Sequence, residues 1–167
     1  MLQQVELKRA YRTTPTGLYL ISTAWEGKRN VQFAFRALGL SDDPPLLLLG
    51  IQQQNFSLEL IRASKELVLN VCSRNQLHAI TKSRGLSGRD VDDKFTALGL
   101  DVLPARVVKA PLVAGCHANV ECRVVNEFET TDLALVIAEP IVCHLDDELK
   151  PVARLSGSTF DLGTPIE

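Results

Sequence analysis

The sequence predicts an antiparallel β-barrel decorated by short helices, mainly β in content, and three observations carry that expectation. Strand-like segments cluster at both ends of the chain, and helical periodicity is confined to short stretches between them. Near the C-terminus, two long β-rich segments, Ala118 to Phe128 and Asp132 to His144, are parted by Glu129-Thr130-Thr131, the span of a hairpin. Alternating βαβ units, which would build a parallel sheet, do not occur.

The elements follow in order. Gly17 to Thr23 is β-rich, and a turn at Glu26-Gly27-Lys28 leads into a second strand, Asn30 to Ala37, so the two form a hairpin. Ser41-Asp-Asp-Pro-Pro45 is a turn, and Leu46 to Gln52 is an apolar run suited to a buried strand. Ser57 reads as an N-cap with Glu59 in the positive first turn, and Leu58, Leu60 and Ile61 give that helix its apolar face. Leu67 to Cys72 is a strand and Asn75 to Lys82 a second short helix. Asp92-Asp93 start a third helix, which Gly99 ends in the C′ position. Ser156 to Gly163 closes the chain.

A length of 167 residues suits one domain over 1–167, with room for a proper core. Hydrophobic residues at 46% and charged residues at 23% exclude a disordered chain. Lys and Arg are scattered and the net charge is −2, which argues against nucleic acid, since phosphate backbones need a concentrated basic footprint. The longest apolar run, Leu46 to Ile51, falls far short of the roughly 20 residues of a membrane helix. The first residues lack a secretory apolar region, and Cys72, Cys116, Cys122 and Cys143 form no Cys-x-x-Cys pair. Together these read as reduced thiols in a cytoplasmic protein.

Chemistry is harder to locate. No G-x-G-x-x-G, P-loop or G-x-S-x-G segment is present, which removes the Rossmann, Walker and nucleophile-elbow readings. Cys116-His117 and Cys143-His144 face each other across a hairpin turning at about residue 130, but strand neighbours point to opposite faces. The four side chains therefore split into two pairs, and no metal site is expected. His78 beside Leu77 and Ile80 reads as a helix-surface imidazole. Glu121 and Glu139, set in apolar strands, need partners, and Arg106 or Arg123 are the candidates.

Read in order, several segments resemble the flavin reductase-like family. Pro15-Thr-Gly-Leu-Tyr-Leu-Ile-Ser-Thr23 is similar to its first strand, and Asn30 with Ser41-Asp-Asp-Pro-Pro45 matches the spacing of its second-strand Asn and Ser-x-x-Pro-Pro turn. Asn55-Phe-Ser-Leu-Glu-Leu-Ile61, Leu69-Asn70-Val71, Asp93-Lys-Phe95, Ala110-Pro-Leu112 and Glu121-Cys122 resemble later elements, so the likeness runs from residue 11 to 163. The resemblance implies a split β-barrel that binds FMN near the interface of a homodimer. It implies NADH or NADPH as hydride donor to flavin N5, the cofactor carrying the chemistry.

On that resemblance Asn30, Phe35, Arg36, Ser41, Gln53, Asn55, Ser57 and Ser87 are the cofactor-binding candidates, and no catalytic residue is assigned. Gln53 to Ser57 precede a helix start suited to the FMN phosphate, with Arg36 as its cation. Asn55 and Ser57 equally suit plain capping, and Ser87 a structural turn. The chain departs from the family where Phe33 and Phe35 replace Thr and Ser, Leu133 replaces the His of Gly-Asp-His, and Phe160 replaces an aromatic hydroxyl. Two alternatives stand beside the reductase: a non-catalytic flavin or small-ligand binding module, and a dimeric scaffold whose flavin slot is filled by Phe33 and Phe35.

Overall fold

The computed structural model describes Gln4 and residues 6–162. A 3-10 turn, Leu7–Thr13, precedes the short strand β1 (Thr16–Gly17) and the long strand β2 (Tyr19–Trp25). Glu26 and Gly27 turn the chain with φ of 47° and 77°, the left-handed pair that matches the twist of a two-residue hairpin, and β3 (Lys28–Ala34) returns along β2. Next come β4 (Ala37–Asp42), β5 (Pro45–Gln52) and helix α1 (Phe56–Ser64). Then β6 (Glu66–Val71), α2 (Leu77–Lys82) and α3 (Lys94–Leu98) follow, with Asp93 capping α3 and Gly99 ending it at φ 68°. Two-residue strands β7 (Val102–Leu103) and β8 (Leu112–Val113) lead to the long hairpin β9 (Ala118–Glu129) and β10 (Leu133–Leu145), and then to β11 (Val152–Leu155) and β12 (Ser158–Asp161).

Seven strands make one antiparallel sheet in the order β3-β2-β6-β9-β10-β5-β4. Its two edge strands, β3 and β4, are joined only by Phe35 and Arg36, so the sheet curls to bring its edges together although its ladder does not close. β1, β11 and β12 form a second small sheet beside that seam. Strand alternation decides what lies inside. Leu49, Ile51, Ala134, Val136 and Ala138 are fully buried and pack on Leu58 and Ile61 of α1, each large side chain contributing about 1.5–3 kcal/mol by burial.

On the opposite face of β6 and β9, Asn70 cross-links the sheet. Its Nδ2 donates to the Leu20 carbonyl and the Ser22 hydroxyl, and its Oδ1 accepts from Val113 N and Asn119 Nδ2. This buried amide is thereby fully satisfied.

The architecture matches the sequence expectation, with corrections. β4 is a strand of its own, because the chain breaks at Phe35-Arg36 and re-pairs with β5. Ser57 is not the cap of α1: Asn55 holds the cap position, and the Ser57 hydroxyl is turned inward. The long hairpin turns later than residue 130, so Cys143 faces Val120 and His144 faces Asn119, with two irregularities in the ladder. Glu121 is held by backbone N–H groups and His144 rather than by the guanidinium of Arg106 or Arg123. Of the closing segment, Gly163 lies outside the described residues.

Candidate functional site

A polar groove of about 440 Å³ opens between β3, the start of α1 and the loop from Ser83 to Arg89. Its deepest residue is Asn30, only 2% exposed because it stands on the interior side of β3. Asn30 Nδ2 donates to Ser57 Oγ at 2.8 Å, and Asn30 Oδ1 is buried with no hydrogen-bond partner. An unmade bond at a buried acceptor costs on the order of 1–3 kcal/mol, so this atom is set up for a donor that enters from the groove. Gly88 lies directly over it: a Cβ there would stand 2.1 Å from Asn30 Oδ1. Glycine is required at residue 88 by close approach, not by its backbone angle.

Arg89 pins the loop to α1. It donates to the Gln54 carbonyl at 3.2 Å, pairs with Glu59 and stacks 5.2 Å over Phe56. Asn55 Nδ2 donates to Gln32 Oε1 at 3.1 Å, which fixes the mouth of the groove on the other side. Below, Asp93 accepts from Arg29 at 2.5 Å; burial pushes its pKa up, but Arg29, Thr96 and Phe95 N outweigh that and hold it below its ordinary value.

The groove also holds a cation that sequence reasoning passed over. Lys94 is 6% exposed, lines the groove and has no hydrogen-bond or carboxylate partner among the described residues. Burial alone lowers its pKa from the ordinary 10.5. A buried ammonium without counter-charge is costly unless an anion joins it. Its signal in the sequence was the position between the cap Asp93 and the core residue Phe95, which draws the side chain inward from the first turn of α3.

Of the sequence candidates, Asn30, Asn55 and Ser87 line this groove, and Ser57 backs it from beneath Asn30. Gln53 does not join them: its Nε2 donates to the Thr130 carbonyl at 2.7 Å. Ser41 lies at the exposed end of β4, not in the turn, and donates to the Pro44 carbonyl at 2.6 Å. Phe35 and Arg36 line a second, mostly apolar groove of about 800 Å³, together with Tyr19, Leu38, Leu48 and Leu135. Arg36 is therefore not the cation of the first groove; its side chain lies over Gly50, where a Cβ would come within 3.1 Å of it. The rings of Phe33 and Phe35, 6.0 Å apart, form the ridge between the two grooves.

The open antiparallel barrel thus presents an inward polar cleft with a buried, unneutralised cation, a chemistry suited to an anionic group. Comparison with known proteins is more specific: residues 11–159 match the flavin reductase like domain, and the chain belongs to that family of flavin-related oxidoreductases. An uncharacterized protein of Archaeoglobus fulgidus is 36% identical over 133 residues, covering 79% of this chain and 74% of its own. The NADH:FAD oxidoreductase SgcE6 of Streptomyces globisporus shares the fold with a TM-score of 0.87 at 19% identity, over 99% of this chain and 100% of that one. The flavin reductase PheA2 superposes with a TM-score of 0.77 at 25% identity, over 94% of this chain and 96% of that one. Among the described residues no helix is long and apolar enough to cross a membrane.

Proposed function

We propose that the chain is an FMN-binding oxidoreductase that accepts a hydride from NADH or NADPH and works as a homodimer. The observation that carries this reading is the pair of unmet needs in the polar groove. Asn30 Oδ1 lacks a donor and Lys94 lacks an anion. A ribityl phosphate offers both, hydroxyls to the amide and an anion to the ammonium, so the residues present fit FMN. When bound, the flavin supplies the two-electron chemistry, taking the hydride at N5.

The chain's own residues bind and orient. Ser57 holds the Asn30 amide by accepting from Nδ2, which leaves Oδ1 directed at the groove. Arg89 closes the loop on α1, and Gly88, having no side chain, lets that loop approach the amide without a clash. The four cysteines, all free thiols, suit a reducing compartment such as the cytoplasm.

A second copy has an apolar surface to cover. Leu38, Leu48 and Ile137 are cross-strand partners on one sheet face, and Leu135 and Phe128 share it. Leu38 is 56% and Phe128 53% exposed, whereas Leu49, Ile51, Ala134, Val136 and Ala138, on the other face of β5 and β10, are completely buried. Such a contiguous apolar face is a candidate interface.

Titration of the purified protein with FMN and riboflavin, followed by flavin fluorescence, tests the groove. FMN should bind the more tightly, and equal affinity would remove the phosphate assignment. One feature favours the non-catalytic binding module as second reading: Phe33 and Phe35 stand where the family has hydroxyls, and Phe33 presents the polar groove with an aromatic wall instead of a donor. FMN bound without reduction by either nucleotide would select it.

A further inference from the structure

Glu139 needs a partner that its own chain does not supply. It is half-buried in β10, and its cross-strand neighbour in β9, Arg123, is exposed and forms no ion pair with it among the described residues. Arg36 is the converse case. Arg29, Arg62, Arg74 and Arg89 each hold a carboxylate. Arg36 is half-buried with its guanidinium 4.4 Å from the Phe35 ring centroid, and no carboxylate meets it among the described residues.

Strand alternation puts both side chains on the apolar sheet face. In β10, Val136 and Ala138 are buried inside, so Ile137 and Glu139 lie outside. In β5, Leu49 and Ile51 are inside, so Leu48 and Gly50 lie outside. Arg36 extends the β4 ladder by one residue, its carbonyl accepting from Gly50 N at 2.8 Å, and its side chain lies over Gly50 on that outer face.

The register then fixes where the two charges stand. Leu48 has Leu38 beside it in β4 and Ile137 beside it in β10. Two residues along β5 in one direction, at Gly50, the β4 side carries Arg36. Two residues in the other direction, one step past the Ala138–Leu47 pair, the β10 side carries Glu139. Arg36 and Glu139 are therefore diagonal opposites about Leu48, each with its Cα about 8 Å away by strand spacing. A two-fold axis standing on the sheet at Leu48 exchanges the two positions, and it exchanges Leu38 with Ile137.

We propose that two copies of the chain pack across this face about that axis, with two reciprocal ion pairs, Arg36 on the partner's Glu139 and Glu139 on the partner's Arg36. Leu48 lies at the centre against its own copy, and the ion pairs flank the apolar contact. The inference rests on the homodimer of the proposed function and specifies its axis and its polar contacts. Charge complementarity selects the occupant. An unrelated partner would have to match both charges at this spacing, whereas a second copy does so by symmetry. The apolar side chains supply area without direction, and the charges fix the orientation.

Sedimentation velocity on full-length wild type, Arg36→Glu, Glu139→Arg and the double swap Arg36→Glu/Glu139→Arg is the test. Each single reversal sets like charges opposite each other twice, so the dimer dissociation constant should rise on the order of tenfold to a hundredfold. The double swap should restore the dimer. The two single variants, mixed in equal amounts, should pair with each other, because both contacts of the mixed dimer again join opposite charges. Single variants as dimeric as wild type overturn the ion pairs and leave the homodimer standing. Single variants that turn monomeric, with no recovery in the mixture or the double swap, also overturn them, since the two residues would then serve each chain's own fold. A monomeric wild type removes the homodimer itself, and the inference with it.

Discussion

His144 Nε2 lies 2.7 Å from Glu121 Oε1, and the same carboxylate accepts three consecutive backbone N–H groups, those of Arg106, Val107 and Val108. An ionised carboxylate only accepts, so His144 carries the proton on Nε2 and donates it. Glu121 thereby staples the 104–110 loop over Val68 on the sheet, where Val108 and Ala110 are buried.

This staple ties part of the acid stability to one buried residue. Burial pushes the Glu121 pKa up, but His144 and the three N–H groups outweigh it and bring the value down from 4.5 to about 2. A depressed carboxylate contributes stability that is present above its unfolded pKa and lost as pH falls through the folded one. The contribution should be whole above about pH 4.5 and vanish toward pH 2. Urea unfolding from pH 7 to 2.5 should show that slope in wild type and a shallower one in Glu121→Gln. Glu121→Ala, which orphans three N–H groups, should cost about 3 kcal/mol at pH 7.

Gly88 separates binding from folding. Adding a methyl at residue 88 would drive it into Asn30 Oδ1, and the exposed loop can shift where the sheet cannot. Gly88→Ala should therefore fold with a melting temperature close to wild type and lose most FMN affinity in a fluorescence titration. A large fall in melting temperature with FMN affinity intact would mean that the contact serves only packing.

Lys94 predicts an exchange between stability and binding. Lys94→Met removes a buried charge without a partner and keeps the length of the side chain, so flavin-free protein should melt a few degrees higher. FMN should bind on the order of tenfold to a hundredfold more weakly. Riboflavin, which has no phosphate, should bind as before, so the FMN preference should collapse. Loss of both affinities together would place Lys94 outside the phosphate's reach.

The sequence exposes what local pattern controls and hides what depends on contacts across the barrel. The first hairpin was readable because Glu26-Gly27 can adopt left-handed backbone between two alternating strands. The third helix was readable because Asp93 and Gly99 mark its ends. β4 was not, since Leu38 and Leu40 stay exposed and a single apolar face gave no signal. The β9–β10 register escaped because irregularities at Ile137/Ala138 and Pro140/Val142 shift the pairing, and no residue type announces them. Of the residues the resemblance named, Asn30, Asn55 and Ser87 line the polar groove, whereas Arg36 lines the other one because the chain kinks after β3. Lys94 entered the sequence reading only within the Asp93-Lys-Phe95 segment, and its burial depends on packing across the barrel that local pattern does not show.

Leu133 carries the last prediction, which concerns turnover. It opens β10 and pairs across the sheet with Gln52, a residue of the polar groove, so its position borders that groove. The family resemblance places a histidine there, one linked to the use of the nicotinamide nucleotide. Leucine cannot donate a hydrogen bond, and the half-buried side chain offers the donor only apolar contact. Reduction of bound FMN by NADH or NADPH should therefore be slow in a stopped-flow experiment. Leu133→His should raise the reduction rate about tenfold, as one charge-assisted or neutral hydrogen bond allows, while FMN affinity stays the same. Fast reduction by the wild type would show that no histidine is needed at this position. An unchanged rate in Leu133→His would move the limit to the Phe33 and Phe35 ridge, where Phe35→Ser becomes the variant expected to speed the reaction.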